Sequence, residues 1–167
     1  QEVSTDEDVA KTITLTATDS DGDTGFIYTM VADPSQGALS GTAPDLTYTP
    51  TANYNGSDSF TFSVTDGTLS DTATVSITVT TVNDAPIVSG ISDQTVSEGV
   101  SFTVFDLDDH LTEVDGDGIL WSFSGNDELT VAIDTDNMVT VTVPDENWNG
   151  SESITFTATD DNTDGLA

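Results

Sequence analysis

The sequence predicts an all-β protein: two tandem antiparallel Greek-key β-sandwiches, the second lacking its last strand. Three observations predict it. Apolar residues alternate with Thr and Ser in short runs, turn-forming residues separate the runs, and the whole pattern occurs twice. The repeat is plainest between residues 53–66, NYNGSDSFTFSVTD, and residues 147–160, NWNGSESITFTATD, at an offset of about 94. A second correspondence sets residues 5–8 against 96–99. Self-similarity at a fixed period marks repeated structural units. The expected domains are therefore 1–84 and 85–167, joined near Asn83, Asp84, Ala85 and Pro86.

In the first unit, Ile13, Leu15 and Ala17 alternate with threonines over residues 11–18. Phe60, Phe62 and Val64 do the same over 59–65, and Val75, Ile77 and Val79 over 74–80. Period two is the mark of a half-buried strand. Residues 26–31 and 46–49 are shorter runs of the same kind, with Gly, Asp, Asn and Pro between them as turn formers. No window has a helical period.

The second unit falls short. Asp160 aligns with Asp66 and Ala167 with Ala73, so nothing corresponds to residues 74–80. Burying Val75, Ile77 and Val79 is worth roughly 5–9 kcal/mol, against a domain stability of about 5–15 kcal/mol. The strand near residues 154–159 is expected to keep an unpaired edge. Two readings follow. Either the segment is cut from a longer array, as the Gln1 start also suggests, or a strand-donating copy fills the gap and builds a filament.

Composition excludes several functions. The 167 residues carry a formal charge of −30, with 31 Asp or Glu, one cationic residue (Lys11), one His and no Cys. Nucleic-acid binding has no cationic footprint to work with, and an anionic membrane surface is excluded for the same reason. Disulfides, zinc thiolates and Cys nucleophiles are impossible. No apolar run of about 18 residues offers membrane insertion, and no signal peptide opens the chain. The β-rich alternation argues against acidic disorder. Self-repulsion still has to be relieved, which points to cations as partners.

The run 75–86, VSITVTTVNDAP, resembles the inter-repeat linker of cadherin-like domains. Residues 17–23, ATDSDGD, resemble their acidic loop after the second strand, and residues 53–60 resemble the matching motif of bacterial cadherin-like tandem repeats. The resemblance implies a cadherin/immunoglobulin-like sandwich from the stalk of a large surface adhesin, extracellular or at the cell surface, with calcium (Ca2+) stiffening the junctions. Neighbouring repeats of the same chain would be its partners, and a glycan or surface ligand is possible. The chain departs from animal cadherins in lacking their acid-rich Asp-Arg-Glu motif, whose place Asn53 and Asn147 take.

Calcium takes about 6–8 oxygen ligands. In a seven-stranded sandwich, loops alternate between the two ends. Asp19, Asp21, Asp23 and Asp66 thus share one end of the first unit, while Glu7, Asn83 and Asp84 share the other. In the second unit Asp106, Asp108, Asp109, Asp115, Asp117 and Asp160 fall at one end and Glu98 at the other. The expected junction uses Glu7, Asn83 and Asp84 from the first unit with Asp115, Asp117 and Asp160 from the second, and Asp106 or Asp108 can join. Asp19, Asp21, Asp23 and Asp66 form one outer half-site and Glu98 another, both expected to bind calcium weakly or not at all.

Other signals are weaker. Asp19, Asp21 and Asp23 start like an EF-hand, but its sixth position is Thr24 and its twelfth Met30. His110 reads as a solvated loop residue. Trp121 reads as core and Trp148 as a packing substitute for Tyr54, although both could stack on a sugar, which makes a carbohydrate-binding module the other rival reading. No carboxylate pair stands out for glycoside hydrolysis, so the chain is read as not an enzyme.

Overall fold

The structure, a computed structural model, describes residues 1–22 and 24–160. Asp23 and residues 161–167 lie outside the described residues. The chain divides into two compact units, Gln1–Val82 and Asn83–Ala167. This division puts Asn83 and Asp84, expected on the first unit, into the second.

The described residues of unit 1 form seven strands: β1 (Glu2–Asp6), β2 (Lys11–Thr14), β3 (Ile27–Ala32), β4 (Gly37–Thr42), β5 (Asp45–Pro50), β6 (Gly56–Thr65) and β7 (Ser70–Thr80). They form one sheet in the order β1-β7-β6-β3 and another in the order β2-β5-β4. The pairing is antiparallel except at β1, which runs parallel to β7. Between the sheets lie Ile13, Leu15, Leu46, Tyr48, Phe60, Phe62, Val75, Ile77 and Val79. These are the inward positions of the period-two runs, and their exclusion from water is the main stabilising force.

β2 is shorter than expected. It ends at Thr14, and the Leu15 N–H donates instead to the Pro44 carbonyl at 2.9 Å. Leu15 is still buried, so burial outlasts the ladder. β4 has no counterpart among the runs read from sequence, because Gly37, Ser40 and Gly41 lack the bulky alternation that signals a strand.

Unit 2 holds β8 (Ile87–Val88), β9 (Phe105–Asp106), β10 (Leu111–Thr112), β11 (Ile119–Ser124), β12 (Thr130–Ile133), β13 (Met138–Thr142) and β14 (Thr155–Asp160). The sheet β12-β13-β9 mirrors β4-β5-β2 of unit 1, and β11-β14 mirrors β3-β6. β8 and β10 pair separately. Among the described residues, β14 pairs only with β11, as the shortfall of the repeat predicts. The core is correspondingly small: Leu107, Val131 and Val139 are buried, with Phe105, Trp121, Phe123, Ile154 and Phe156 half-buried around them.

Candidate metal centre

Three acids of unit 2 converge in the segment between β10 and β11. Glu113, Asp115 and Asp117 alternate through a turn at Gly116, which has φ +86. One carboxylate oxygen from each lies within 4.8 Å of the others. Alternation puts all three side chains on one side of the turn, and Gly supplies the left-handed residue that the turn needs. The Asp115 and Gly116 N–H groups donate to the Glu113 carboxylate at 2.7 Å. Donors from the Asp115, Gly116, Val114 and Asp117 backbone hold the Glu113 carboxyl below its ordinary range against the opposing effect of burial. Asp117 is 8% exposed.

Two residues at the start of unit 2 bond to its acids, one of them in this turn. The Asp84 N–H donates to Asp115 Oδ2 at 2.6 Å. The Asn83 side-chain amide donates to Asp160 Oδ2 at 2.6 Å. Asp160 ends β14 opposite Ile119, the first residue of β11, and Ile119 lies two residues along the chain from Asp117. Asp84 Oδ2 and Asn83 Oδ1 are buried and take no hydrogen bond among the described residues. Buried oxygens without donors are costly, and a hard cation is a chemically apt partner for them. The donor set is all oxygen, which suits calcium or magnesium and not zinc or copper.

The structure thus brings Asn83, Asp84, Asp115, Asp117 and Asp160 together within one unit. Sequence reasoning passed over Glu113, though its alternation with Asp115 and Asp117 around a glycine was a legible signal.

The remaining candidates have these surroundings. Asp106 accepts from the Asp108 N–H at 3.0 Å, and Asp108 accepts from the Asn137 side chain at 2.9 Å, so both are engaged in their own loop. Glu98 is exposed in a turn. In unit 1, Asp66 accepts from the Leu69 and Thr68 N–H groups at 2.8 and 2.6 Å and from the Thr68 hydroxyl, which hold its carboxyl below the usual range. Asp19 accepts from the Asp21 N–H at 2.7 Å, and Asp23 lies outside the described residues. Glu7 is 3% exposed and accepts from the Val82 N–H at 2.7 Å, so it fixes the end of unit 1. Trp121 packs on the unit 2 core from β11. Trp148 covers Gly150 and donates to Glu128.

The fold and site define a class: tandem β-sandwich repeats with acidic loops. Residues 1–78 and 83–165 each match the family described as bacterial Ig domain. The chain belongs to that family. Among solved structures, protocadherin PcdhgB3 EC1-4 has a TM-score of 0.58 at 15% identity, covering 95% of this chain and 44% of that one. Protocadherin Gamma B2 extracellular cadherin domains 3-6 has a TM-score of 0.56 at 15% identity, covering 96% and 42%. An endo-fucoidan hydrolase from glycoside hydrolase family 107 is 28% identical over 96% of this chain and 25% of that one, with a TM-score of 0.38. The chain spans less than half the length of each. The comparison with curated proteins found no match. The repeats are immunoglobulin-like and cadherin-like sandwiches, and no helix among the described residues is long and apolar enough to cross a membrane.

Proposed function

We propose that the chain is a pair of calcium-stiffened spacer repeats from the extracellular stalk of a cell-surface adhesin, structural rather than catalytic. One observation supports this reading: Asn83 and Asp84 open unit 2, follow directly on Val82, and are hydrogen-bonded to two of its acids, Asn83 to Asp160 and Asp84 to Asp115 of the acidic turn. A cation held by the carboxylates of Glu113, Asp115, Asp117 and Asp84 ties the linker backbone to β11. Glu7 grips the preceding peptide, at Val82, from the unit 1 side. Two consecutive stretches of linker are then held, and the linker loses conformational freedom.

Calorimetry tests the site. The wild type should bind calcium saturably with Kd of about 10⁻⁴–10⁻³ M, the range of extracellular modules. The double variant D115N/D117N should lose that binding, and D84A should weaken it. Substituting Asp19, Asp21, Asp66 or Glu98 should change it little. Calcium should also lengthen and narrow the particle in small-angle scattering. Unchanged binding in D115N/D117N overturns the centre, and identical scattering with and without calcium overturns the stiffening.

A further inference from the structure

Unit 1 ends one of its sheets on β3, which pairs with β6 on one side and, among the described residues, with no strand on the other. The direction of its free backbone groups follows from the ladders. The Ser76 N–H donates to the Gln1 carbonyl and the Glu7 N–H to the Thr80 carbonyl, so the even-numbered residues of β7 turn their backbone groups to β1. Its odd-numbered residues then bond to β6, where they face Gly56, Asp58 and Phe60. The odd-numbered residues of β6 are thus left to bond to β3, and Ser63 and Thr65 face Thr29 and Ile27. The groups of β3 that point to the open edge are therefore those of Tyr28 and Met30.

The side chains of β3 divide between two faces. Tyr28 and Met30 pack on the core. Ile27, Thr29 and Val31 face solvent, and Ile27 and Val31 are 60% and 59% exposed. An exposed apolar edge strand is a template for pairing, which charged residues or Pro on the strand normally prevent. β3 reads IYTMVA and has neither, in a chain with 31 acids.

We propose that β3 is a contact between two copies of this chain, in which their β3 strands pair antiparallel about a two-fold axis at Thr29. The strand is self-complementary about that residue. Thr29 faces the partner's Thr29, and Ile27 faces the partner's Val31, so that aliphatic side chains meet on the solvent face. Tyr28 lies opposite the partner's Met30, and these are the residues whose backbone groups are free. Register and hydrogen bonding therefore agree: the axis passes through a non-hydrogen-bonded pair, and the pairs beside it exchange N–H···O=C bonds. Charge favours a second copy over a basic segment, which would find no acid within β3 to pair with. Across the axis Asp33 falls opposite the partner's Gly25, so no carboxylates are set face to face. The bulge at Val31 ends the regular pairing. So short a contact lies well below the roughly 20–30 residues a side of a standard interface. Association is therefore weak, and salt strengthens it by screening the −30 on each copy. The pair consumes both open β3 edges, so the contact closes at two copies.

Unit 2 lacks the pattern. Thr29 faces Ser63 and Ile27 faces Thr65, and at the repeated positions Ser122 faces Thr157 and Leu120 faces Thr159. Two residues beyond Thr29 stands Val31, but two beyond Ser122 stands Ser124. The same axis on β11 would set Leu120 against a serine.

Cysteine cross-linking tests the contact, in a chain that has no Cys of its own. A non-hydrogen-bonded antiparallel pair sets its Cα atoms about 4.5 Å apart, within the span of roughly 4.4–6.8 Å that a disulfide bridges. At high salt under a mild oxidant, T29C should form a disulfide dimer at least about tenfold faster than S122C, because pairing raises the effective concentration of the partner thiol. Sedimentation of the wild type should show a weak monomer–dimer equilibrium that tightens with salt. V31K should weaken it by at least about tenfold, the loss of a buried aliphatic side chain at both symmetry-related positions. That direction separates edge pairing from association limited only by repulsion, which a lysine in so acidic a chain would strengthen. Equal cross-linking of T29C and S122C, no wild-type dimer at millimolar protein and high salt, or a tighter V31K dimer would each overturn the contact.

Discussion

At the residue scale, the repeat places carboxylates with a structural task as well as those of the acidic turn. Asp58 is 8% exposed and accepts from the Ser35, Gln36 and Ser59 N–H groups and the Tyr48 hydroxyl, at 2.8 to 3.0 Å. Glu152, its counterpart, accepts from the Asp127, Glu128 and Leu129 N–H groups. Each carboxylate satisfies the backbone of the turn that leads into the opposite sheet. Burial pushes the Asp58 carboxyl up, but the Ser35, Ser59, Tyr48 and Gln36 donors together outweigh it and hold it below its ordinary value of 3.8. The same contact, after burial, pushes the Tyr48 hydroxyl up. A carboxyl with a lowered folded-state pKa contributes stability that is fully present above the unfolded value and is lost as pH falls through the folded value. Unit 1 should therefore weaken on acidification below about pH 4. D58N keeps one acceptor oxygen and loses the other. It should cost about 1–3 kcal/mol at pH 7 and flatten the acid limb. Hydrogen exchange of the Phe60 and Ile77 amides reads unit 1. Tryptophan fluorescence reads unit 2, which holds both Trp, and should not move. A D58N protein with wild-type exchange at pH 7 would show the contact to be idle.

At the element scale, what was legible depended on how much of a strand's identity lies in its own side chains. β5, β6 and β7 announce themselves by alternation, and their inward residues are the observed core. The acidic centre was partly legible, because Asp115, Asp117 and Asp160 sit at repeated loop positions. Asn83 and Asp84 were expected on the first sandwich, whereas their hydrogen bonds run to Asp160 and Asp115, and a linker motif does not say which sandwich its groups bond to. β4 was invisible, and Gly37 gives the reason. A Cβ there would stand 2.5 Å from the Tyr48 ring and 2.6 Å from the Thr49 carbonyl oxygen. The strand needs a gap where the usual signal needs a bulky residue. Gly→Ala normally stabilises by about 0.4–1 kcal/mol through the unfolded chain. At Gly37 the sign should reverse, to a loss of about 1–3 kcal/mol, because the carbonyl it strikes belongs to the paired strand β5 and cannot move alone. Denaturant midpoints of G37A and wild type decide it, and a G37A protein as stable as the wild type would show that β4 and β5 separate freely.

At the scale of the whole molecule, the charge of −30 makes two different demands on cations, and they are separable. General self-repulsion is relieved by any salt, gradually, as the Debye length falls from about 10 Å at 0.1 M to about 3 Å at 1 M. A bound calcium ion offsets only two charges, but it does so at one place and saturates. Magnesium insists on octahedral geometry at about 2.0–2.1 Å and sheds water reluctantly, so it should act mostly as a screening salt here. Three melting series at matched ionic strength, in sodium, magnesium and calcium chloride, should therefore show a shared gradual rise. Calcium alone should add a step with a midpoint near 10⁻⁴–10⁻³ M. The variant D115N makes the distinction sharper. Without calcium it should melt no lower than the wild type, because it removes one repelling charge from a cluster whose oxygens lie within 4.8 Å. With calcium it should melt lower, because it has lost a ligand. The two curves must cross as calcium rises. Screening alone gives no crossing, since neutralising an acid in a chain of this charge then helps at every salt concentration. Parallel curves would reduce the acids of unit 2 to a solvated surface, whereas a crossing identifies a site.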